Sequence, residues 1–384
     1  MTTVNCGVDR IKEDSSILKG LRLGLITNYT GVDRELKSTI DILNEVGELT
    51  CMFSPEHGVR GDFQAGAQVP DYVDEKTGVK VYSLYGDKKK PTKDMLRNVD
   101  PLVFDIQDVG ARFYTYLYTM SYSMEAAKEF GKKFIVLDRP NPLGGMKVEG
   151  AILDTAFSSF VGMYPIPTRY GLTIGEIARL FNSEFDIGCD LEVIELEGWK
   201  RDMYFDDTDL NFIAPSPNIP TIDTALVYIG TCLFEGTNVS EGRGTTQPFQ
   251  TIGAPWIDGE KLAQDLNAMN LKGVKFRPHY LTPTFSKHEG ELCKGIQIHV
   301  RDRETIEPFK VGVAIVHNLA SNYEEFEFLP PYREGGRQFF DLLAGTDKLR
   351  ESIISGNVDE FFESIDKDLE EFQKVREKYI IYRQ

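Results

Sequence analysis

The stretch Val103-Phe-Asp-Ile-Gln-Asp-Val-Gly-Ala-Arg-Phe-Tyr-Thr-Tyr116 decides the fold. It opens as a short apolar strand, places Asp105, Gln107 and Asp108 at the strand's end, turns at Gly110 and enters an aromatic helix. In that helix Phe113, Leu117, Met120, Met124 and Ala127 form one apolar stripe, with Tyr114, Tyr118 and Tyr122 on an adjacent face. Polar groups are costly to bury unless paired or used. A run of them at a strand-to-helix turn marks a candidate site, because open α/β sheets bind ligands beyond the carboxyl ends of their strands.

The same grammar recurs outward from this stretch. Leu21–Thr27 reads as a strand ending in Asn28, Thr30 and Gly31, followed by Leu36, Ile40 and Leu43 at helical spacing. Leu49–Phe53 runs into Ser54-Pro-Glu-His-Gly58, and Val79–Tyr85 alternates like a strand before a short helix expected from Pro91. Phe134–Asp138 leads to Arg139-Pro-Asn-Pro142, Thr173-Ile-Gly-Glu176 is a capping box that starts a helix, and Leu191–Leu196 is a further strand. Strands alternating with helices predict an α/β fold: a Rossmann-like, mostly parallel sheet with flanking helices. Asp258 can cap a helix bearing Leu262, Leu266 and Met269. Val274–Phe276 and Gly295–Val300 read as strands, Phe309–Leu319 as a helix, and Asp359–Tyr379 as a charged amphipathic helix. The expected organisation is a catalytic domain over 1–255 and a smaller α/β domain over 256–384, with the boundary between Gly253 and about Gly259.

Composition narrows the function. The 384 residues suffice for two domains, and 41% hydrophobic with 27% charged residues is ordinary for a soluble enzyme. A net charge of −17, without a basic stripe in the sequence, argues against a nucleic-acid partner. Five scattered cysteines with no C-x-x-C pair fit buried free thiols. The start Met-Thr-Thr-Val-Asn-Cys-Gly lacks a basic region and an apolar core, so a cytoplasmic location is expected, or a periplasmic or secreted one if the N-terminus was trimmed. No apolar run is long enough to span a bilayer.

Several chemistries lack their signature. There is no G-x-G-x-x-G after the first strand and no phosphate-binding P-loop, so no nucleotide cofactor is expected. Ser16-x-x-Lys19 and Lys76-Thr-Gly78 lie too close together to form a serine-acyltransferase site. No H-E-x-x-H is present, and of the five histidines His57 is the one beside a carboxylate at a strand end, so no metal is expected. Carboxylate chemistry remains. Glycoside hydrolysis typically uses one carboxylic acid to protonate the leaving oxygen and a second carboxylate to activate water or attack. Glu56 follows a buried strand and precedes Gly58 and Gly61, which suits the acid. Asp105, Asp108, Asp138 and Glu241 are candidates for the second, and each could equally cap a helix or turn. Arg112, Arg139 and Arg243 could hold an anionic substrate or pair with those aspartates.

Taken together, Ser54-Pro-Glu-His-Gly58, Leu84-Tyr-Gly86, the stretch from Phe104 to Tyr116, Leu137-Asp-Arg-Pro-Asn-Pro142, Pro215-Ser-Pro-Asn218 and Glu235-Gly-Thr-Asn…Ser240-Glu-Gly-Arg-Gly-Thr245 resemble the exo-β-N-acetylmuramidase (NamZ-like) family. The resemblance covers nearly the whole chain. It implies a glycosidase of cell-wall recycling that releases N-acetylmuramic acid from the non-reducing end of peptidoglycan fragments, such as a muropeptide or a MurNAc-GlcNAc disaccharide, in a cleft between two domains. It marks Glu56 as the acid, with His57 tuning or orienting it. Asp105, Gln107 and Asp108 would position substrate or water, and Tyr114 and Tyr116 would stack on the sugar. Asn141 and Glu241 would contact the substrate, while Arg112, Arg139 or Arg243 would hold the lactyl carboxylate. The loop from Glu235 to Thr246 would wall the pocket. The rival readings are a non-catalytic muropeptide-binding protein and a nucleotide-dependent Rossmann enzyme.

Overall fold

The computed structural model describes residues 2–56, 58–61, 70–86 and 88–383. Its larger sheet contains β1 (Arg22–Thr27), β2 (Glu48–Ser54), β3 (Tyr72–Val73), β4 (Lys80–Ser83), β5 (Pro101–Asp105), β6 (Lys133–Leu137) and β7 (Asp190–Ile194). These lie in the order β3-β4-β2-β1-β5-β6-β7, with β3 antiparallel to β4 and every other pairing parallel. Without β3 this is the strand order of dinucleotide-binding sheets, whose switch point falls between β1 and β5. The Rossmann-like expectation is met.

Parallel strands buried on both faces need apolar residues throughout, and β5 is buried at all its positions. Helices α1 (Gly7–Glu13) and α2 (Thr39–Val46) cover one face, where Val8, Ile11, Ile40 and Leu43 meet Leu23, Leu25, Met52, Val103 and Ile135. Helices α3 (Tyr116–Glu129) and α4 (Ile174–Glu184) cover the other. Leu36 does not join α2: its backbone is left-handed (φ 64°) and its side chain is 51% exposed. The short helix expected from Pro91 is instead a run of turns over 93–98.

The second sheet has three antiparallel strands, β8 (Thr251–Ala254), β9 (Val274–Leu281) and β10 (Cys293–Val300), in the order β8-β10-β9. Helix α6 (Gly259–Ala268), capped by the Asp258 carboxylate, packs on one face. Helix α5 (Ile222–Thr231) crosses α7 (Pro308–Asn322) at Gly230 and Gly312. A Cβ on Gly312 would fall 2.4 Å from the Gly230 backbone, so the helices meet there with no side chain between them. Helices α8 (Phe339–Ala344), α9 (Lys348–Ser355) and α10 (Val358–Arg376) complete the chain. One apolar core runs from the α3/α4 face of the large sheet into α5, α7 and the small sheet, and all five cysteines are buried and free.

Beyond α10 the chain returns to the large sheet. The Tyr382 hydroxyl donates to Asp138 Oδ2 (2.6 Å) and accepts from the Leu196 amide (2.8 Å), and its ring meets Trp199 edge-on at 5.4 Å. The Ile381 amide donates to Glu176 Oε1 (2.9 Å), whose carboxylate also receives Arg201 Nη1 (2.7 Å). Asp138 and Glu176 are both fully buried.

Candidate active site

Strand ends of the large sheet supply one wall of the site. Past β2, Glu56 accepts a hydrogen bond from the Tyr85 hydroxyl, which follows β4, at 3.1 Å. Past β5 the chain turns at Gly110 (φ 77°), where a Cβ would lie 2.6 Å from Asn141 Oδ1, so a close approach and a left-handed backbone both require glycine. That turn delivers Tyr114 and Tyr116, packed edge to face at 5.0 Å, with the Tyr116 hydroxyl donating to the Pro215 carbonyl (3.1 Å). The Tyr114 hydroxyl is buried beside Tyr116 and, among the described residues, makes no hydrogen bond of good geometry.

The other wall comes from α5 and the 3₁₀ turn Cys232–Gly236. Tyr228 packs edge-on against Phe113 (5.0 Å) and Phe249 (4.6 Å). Glu235 Oε1 lies 2.7 Å from Arg243 Nη2, and Arg243 Nε is 3.2 Å from Glu241 Oε1, with the guanidinium 5.0 Å above the Phe249 ring. Behind them Lys287 Nζ sits 2.8 Å from Glu241 Oε2 and donates to the carbonyls of Phe234, Thr237 and Val239. Burial pushes the Glu235 carboxyl above its ordinary value; Arg243 pulls it down and Glu241 pushes it further up. Burial works against the Arg243 charge, yet Glu235 and Glu241 hold its pKa above the ordinary guanidinium value.

Between these walls lies a cavity of about 210 Å³, lined by Glu56, Tyr85, Tyr114, Tyr116, Tyr228, Cys232, Glu235 and Arg243, among others. Glu56, Tyr85, Thr115 and Phe160 also line an adjoining groove of about 390 Å³ whose surface includes Leu84, Lys89, Tyr118 and Tyr122. Glu56 therefore stands where a small polar cavity meets a larger aromatic groove.

The structure brings Glu56, Tyr114, Tyr116 and Arg243 together and takes the other expected residues elsewhere. Asp105 is fully buried and grips Arg139 through both oxygens (2.5 Å to Nε, 2.8 Å to Nη2), with Thr39 donating as well. Thr27 Oγ1 donates to the Asp105 carbonyl (2.7 Å), so the chain's own groups fill the switch-point crevice between β1 and β5. Asp105 and Arg139 thus form a structural ion pair, which corrects the expectation that they meet substrate. Arg112 is corrected for a similar reason. Its guanidinium donates to the carbonyls of Ala151 (2.5 Å), Ile166 (2.8 Å), Leu343 (2.9 Å) and Ala344 (2.8 Å), and none of its surface is exposed. Gln107 Nε2 bonds the carbonyls of Asp108 and Pro140, and Asn141 bonds Leu172 and Leu143, so both brace loops. Asp108 accepts from the Gly110 amide (2.7 Å) and the Tyr170 hydroxyl. Glu241, 1% exposed, sits behind Arg243. His57 lies outside the described residues.

The element that sequence reasoning missed is Glu235. Its signal was a glutamate followed directly by glycine after an apolar segment, much as Glu56 stands between a buried strand and Gly58, but only the folded chain sets the two in one cavity. Among the described residues no group of three His, Cys, Asp or Glu side chains is placed to hold a metal ion.

The buried carboxyls carry a pH prediction. Burial pushes both Asp108 and Asp138 up to about 7, against the hydrogen bonds that favour their ionised forms. The unfolded chain loses these protons near pH 4 and the folded chain near pH 7, so folding holds extra protons in between and stability falls as pH rises across that window. Glu149 and Glu235 shift in the same direction, whereas the lowered Asp74 and Asp100 act only below about pH 4. Scanning calorimetry at constant ionic strength should give a higher Tm at pH 5 than at pH 8, and Asp108→Asn should shrink the difference. A Tm that climbs from pH 5 to pH 8 would contradict this account.

Glu56 and Glu235 thus line one cavity of about 210 Å³ past the carboxyl ends of a parallel sheet, and paired carboxyl groups are what glycosidases use. The chain belongs to the exo-β-N-acetylmuramidase NamZ family, whose N-terminal model matches residues 23–223 and whose C-terminal model matches residues 226–382. It is 54% identical over 384 residues to the peptidoglycan β-N-acetylmuramidase NamZ of Bacillus subtilis (strain 168), covering 99% of this chain and 91% of that protein. Crystal structures of two DUF1343 family proteins from Bacteroides fragilis NCTC 9343 superpose with TM-scores of 0.91 and 0.79, at 39% and 33% identity. Each alignment covers 99% of both chains.

Proposed function

We propose that this chain is an exo-acting glycosidase that releases N-acetylmuramic acid from the non-reducing end of peptidoglycan fragments. The observation that carries the reading is the cavity that Glu56 shares with Glu235 and Arg243. A small terminal cavity fits one sugar, and the adjoining groove gives the leaving group its place. Glu56, at the junction, protonates the glycosidic oxygen, held in position by the Tyr85 hydroxyl. Glu235 is the second carboxylate. Arg243 receives the lactyl carboxylate through charge-assisted hydrogen bonds, and the buried Tyr114 hydroxyl supplies a further polar contact to the sugar. Among the described residues no helix is long and apolar enough to cross a membrane.

The test is selective turnover. An aryl β-N-acetylmuraminide should release its chromophore, while the matching β-N-acetylglucosaminide, which lacks the lactyl carboxylate, should be a far poorer substrate. Arg243→Leu should raise KM for the muraminide by about ten- to a hundredfold, the size of one charged hydrogen bond, and narrow the preference between the two sugars. Equal rates on both sugars with wild type would defeat the assignment of Arg243. Binding without turnover would instead support the non-catalytic reading.

A further inference from the structure

The small sheet has two unlike faces. Val274, Phe276, Ile296 and Ile298 are buried on the α6 side. On the outer face the register sets Lys275 opposite His299, Arg277 opposite Gln297 and His279 opposite Gly295, and Arg301 continues the row beyond β10. Lys275, Arg277 and Arg301 are exposed, and no ion pair to a carboxylate is formed by any of them among the described residues. Arg277 Nε is instead fixed by Gln297 Oε1 (2.7 Å), and its Nη2 lies 3.5 Å from His279 Nδ1. The nearby Asp302 carboxylate is turned to the Glu304 amide (2.9 Å) and the Thr305 hydroxyl (2.8 Å).

The chain as a whole carries a net charge of −17, so a patch of cations without carboxylate partners stands against the overall charge. The uncompensated positive potential is felt locally. Burial first, then Arg277, lowers both His279 and His299, and no carboxylate offsets the shift. We propose that this outer face, built on Lys275, Arg277, His279 and Arg301, binds a linear phosphate polyanion. Lys275 and Arg277, alternate residues of β9, stand about 7 Å apart, Arg301 adds a third cation just past β10, and the imidazole of His279, its pKa lowered, adds a neutral hydrogen-bonding group; guanidinium groups suit phosphate oxygens. An acidic polypeptide would gain most by adding a strand beside β9, one edge of the sheet; the other edge, β8, already pairs with Ser240. Pro278 interrupts the β9 edge by removing an amide donor. None of Lys275, Arg277, His279 and Arg301 lines the Glu56 cavity, so the inference does not rest on the glycosidase assignment.

The experiment measures binding of inorganic polyphosphate to the full chain by titration calorimetry across a salt series, with poly-glutamate and a single-stranded oligonucleotide of matched charge as comparisons. Polyphosphate should bind at low salt, with log affinity falling linearly against log salt, and more tightly than either comparison. Lys275→Glu/Arg277→Glu should weaken binding at least tenfold and flatten the salt slope by about 0.7 for each contact removed. Lys275→Glu/Arg301→Glu leaves the Arg277–Gln297 bond in place and should weaken binding while hydrolysis of the aryl muraminide is unchanged. Three results would overturn the proposal: wild type that does not bind polyphosphate, reversed-charge variants that bind it as wild type does, or poly-glutamate or the oligonucleotide binding as tightly as polyphosphate.

Discussion

Glu56→Gln is expected to lower kcat on an aryl muraminide by about 10²- to 10⁴-fold, the usual contribution of a positioned general acid, with KM little changed. The amide retains the size of the side chain and can still accept from Tyr85, whose hydroxyl lies 3.1 Å from Oε1. What it loses is a proton to give. The size of the loss should therefore depend on the leaving group. A dinitrophenyl aglycone departs without protonation and should lose least, and a sugar alcohol, which must be protonated, should lose most. Steady-state rates over a series of aglycones check this. A uniform loss across the series, or wild-type activity in the variant, would remove Glu56 from the role of acid.

Asp105→Ala is expected to destabilise the fold by about 3–5 kcal/mol, the typical cost of leaving one member of a buried ion pair uncompensated. Arg139 is 5% exposed, and among the described residues its guanidinium would keep only the Val32 carbonyl as a hydrogen-bond partner. The midpoint of urea unfolding reads the effect. Removing both charges with Asp105→Leu/Arg139→Met should recover much of the loss, because the pair's attraction and its desolvation cost disappear together. If Asp105 instead touched substrate, Asp105→Ala would remain as stable as wild type and lose kcat. The two outcomes separate a structural pair from a catalytic one.

The architecture was legible in the sequence because its signals are local. Apolar strands ending in polar turns, the Thr173–Glu176 capping box and the Asp258 cap all report through neighbouring residues, and the structure forms each of them. The strand β8 went unread, since four residues in a Gly-, Pro- and Thr-rich region carry no clear alternation. The site was legible in part. Glu56 and Arg243 stand at polar turns where function and loop bracing leave the same trace, and the same trace misled for Asp105, Arg112 and Arg139. Whether a buried charge meets a ligand or another part of its own chain depends on contacts such as Arg112 with Leu343, far apart in sequence. Glu235 was hidden for the same reason: Glu56, Tyr114 and Tyr116, with which it shares the cavity, come from the other wall.

The return of Tyr382 to the large sheet has a consequence for biosynthesis. The last strand of that sheet ends at Ile194, but the hydroxyl that bonds Asp138 and the amides that bond Glu176 arrive only with residues 381 and 382. Translation of the intervening segment takes on the order of ten to forty seconds at typical speeds. Throughout that interval Asp138 keeps only its bonds from Arg139, Thr173 and Gly175, and Glu176 those from Arg201 and its own helix cap, among the described residues. The sheet's bonding is therefore completed only when the end of the described chain is made, so truncation before residue 381 should weaken the large sheet as well as the C-terminal helices.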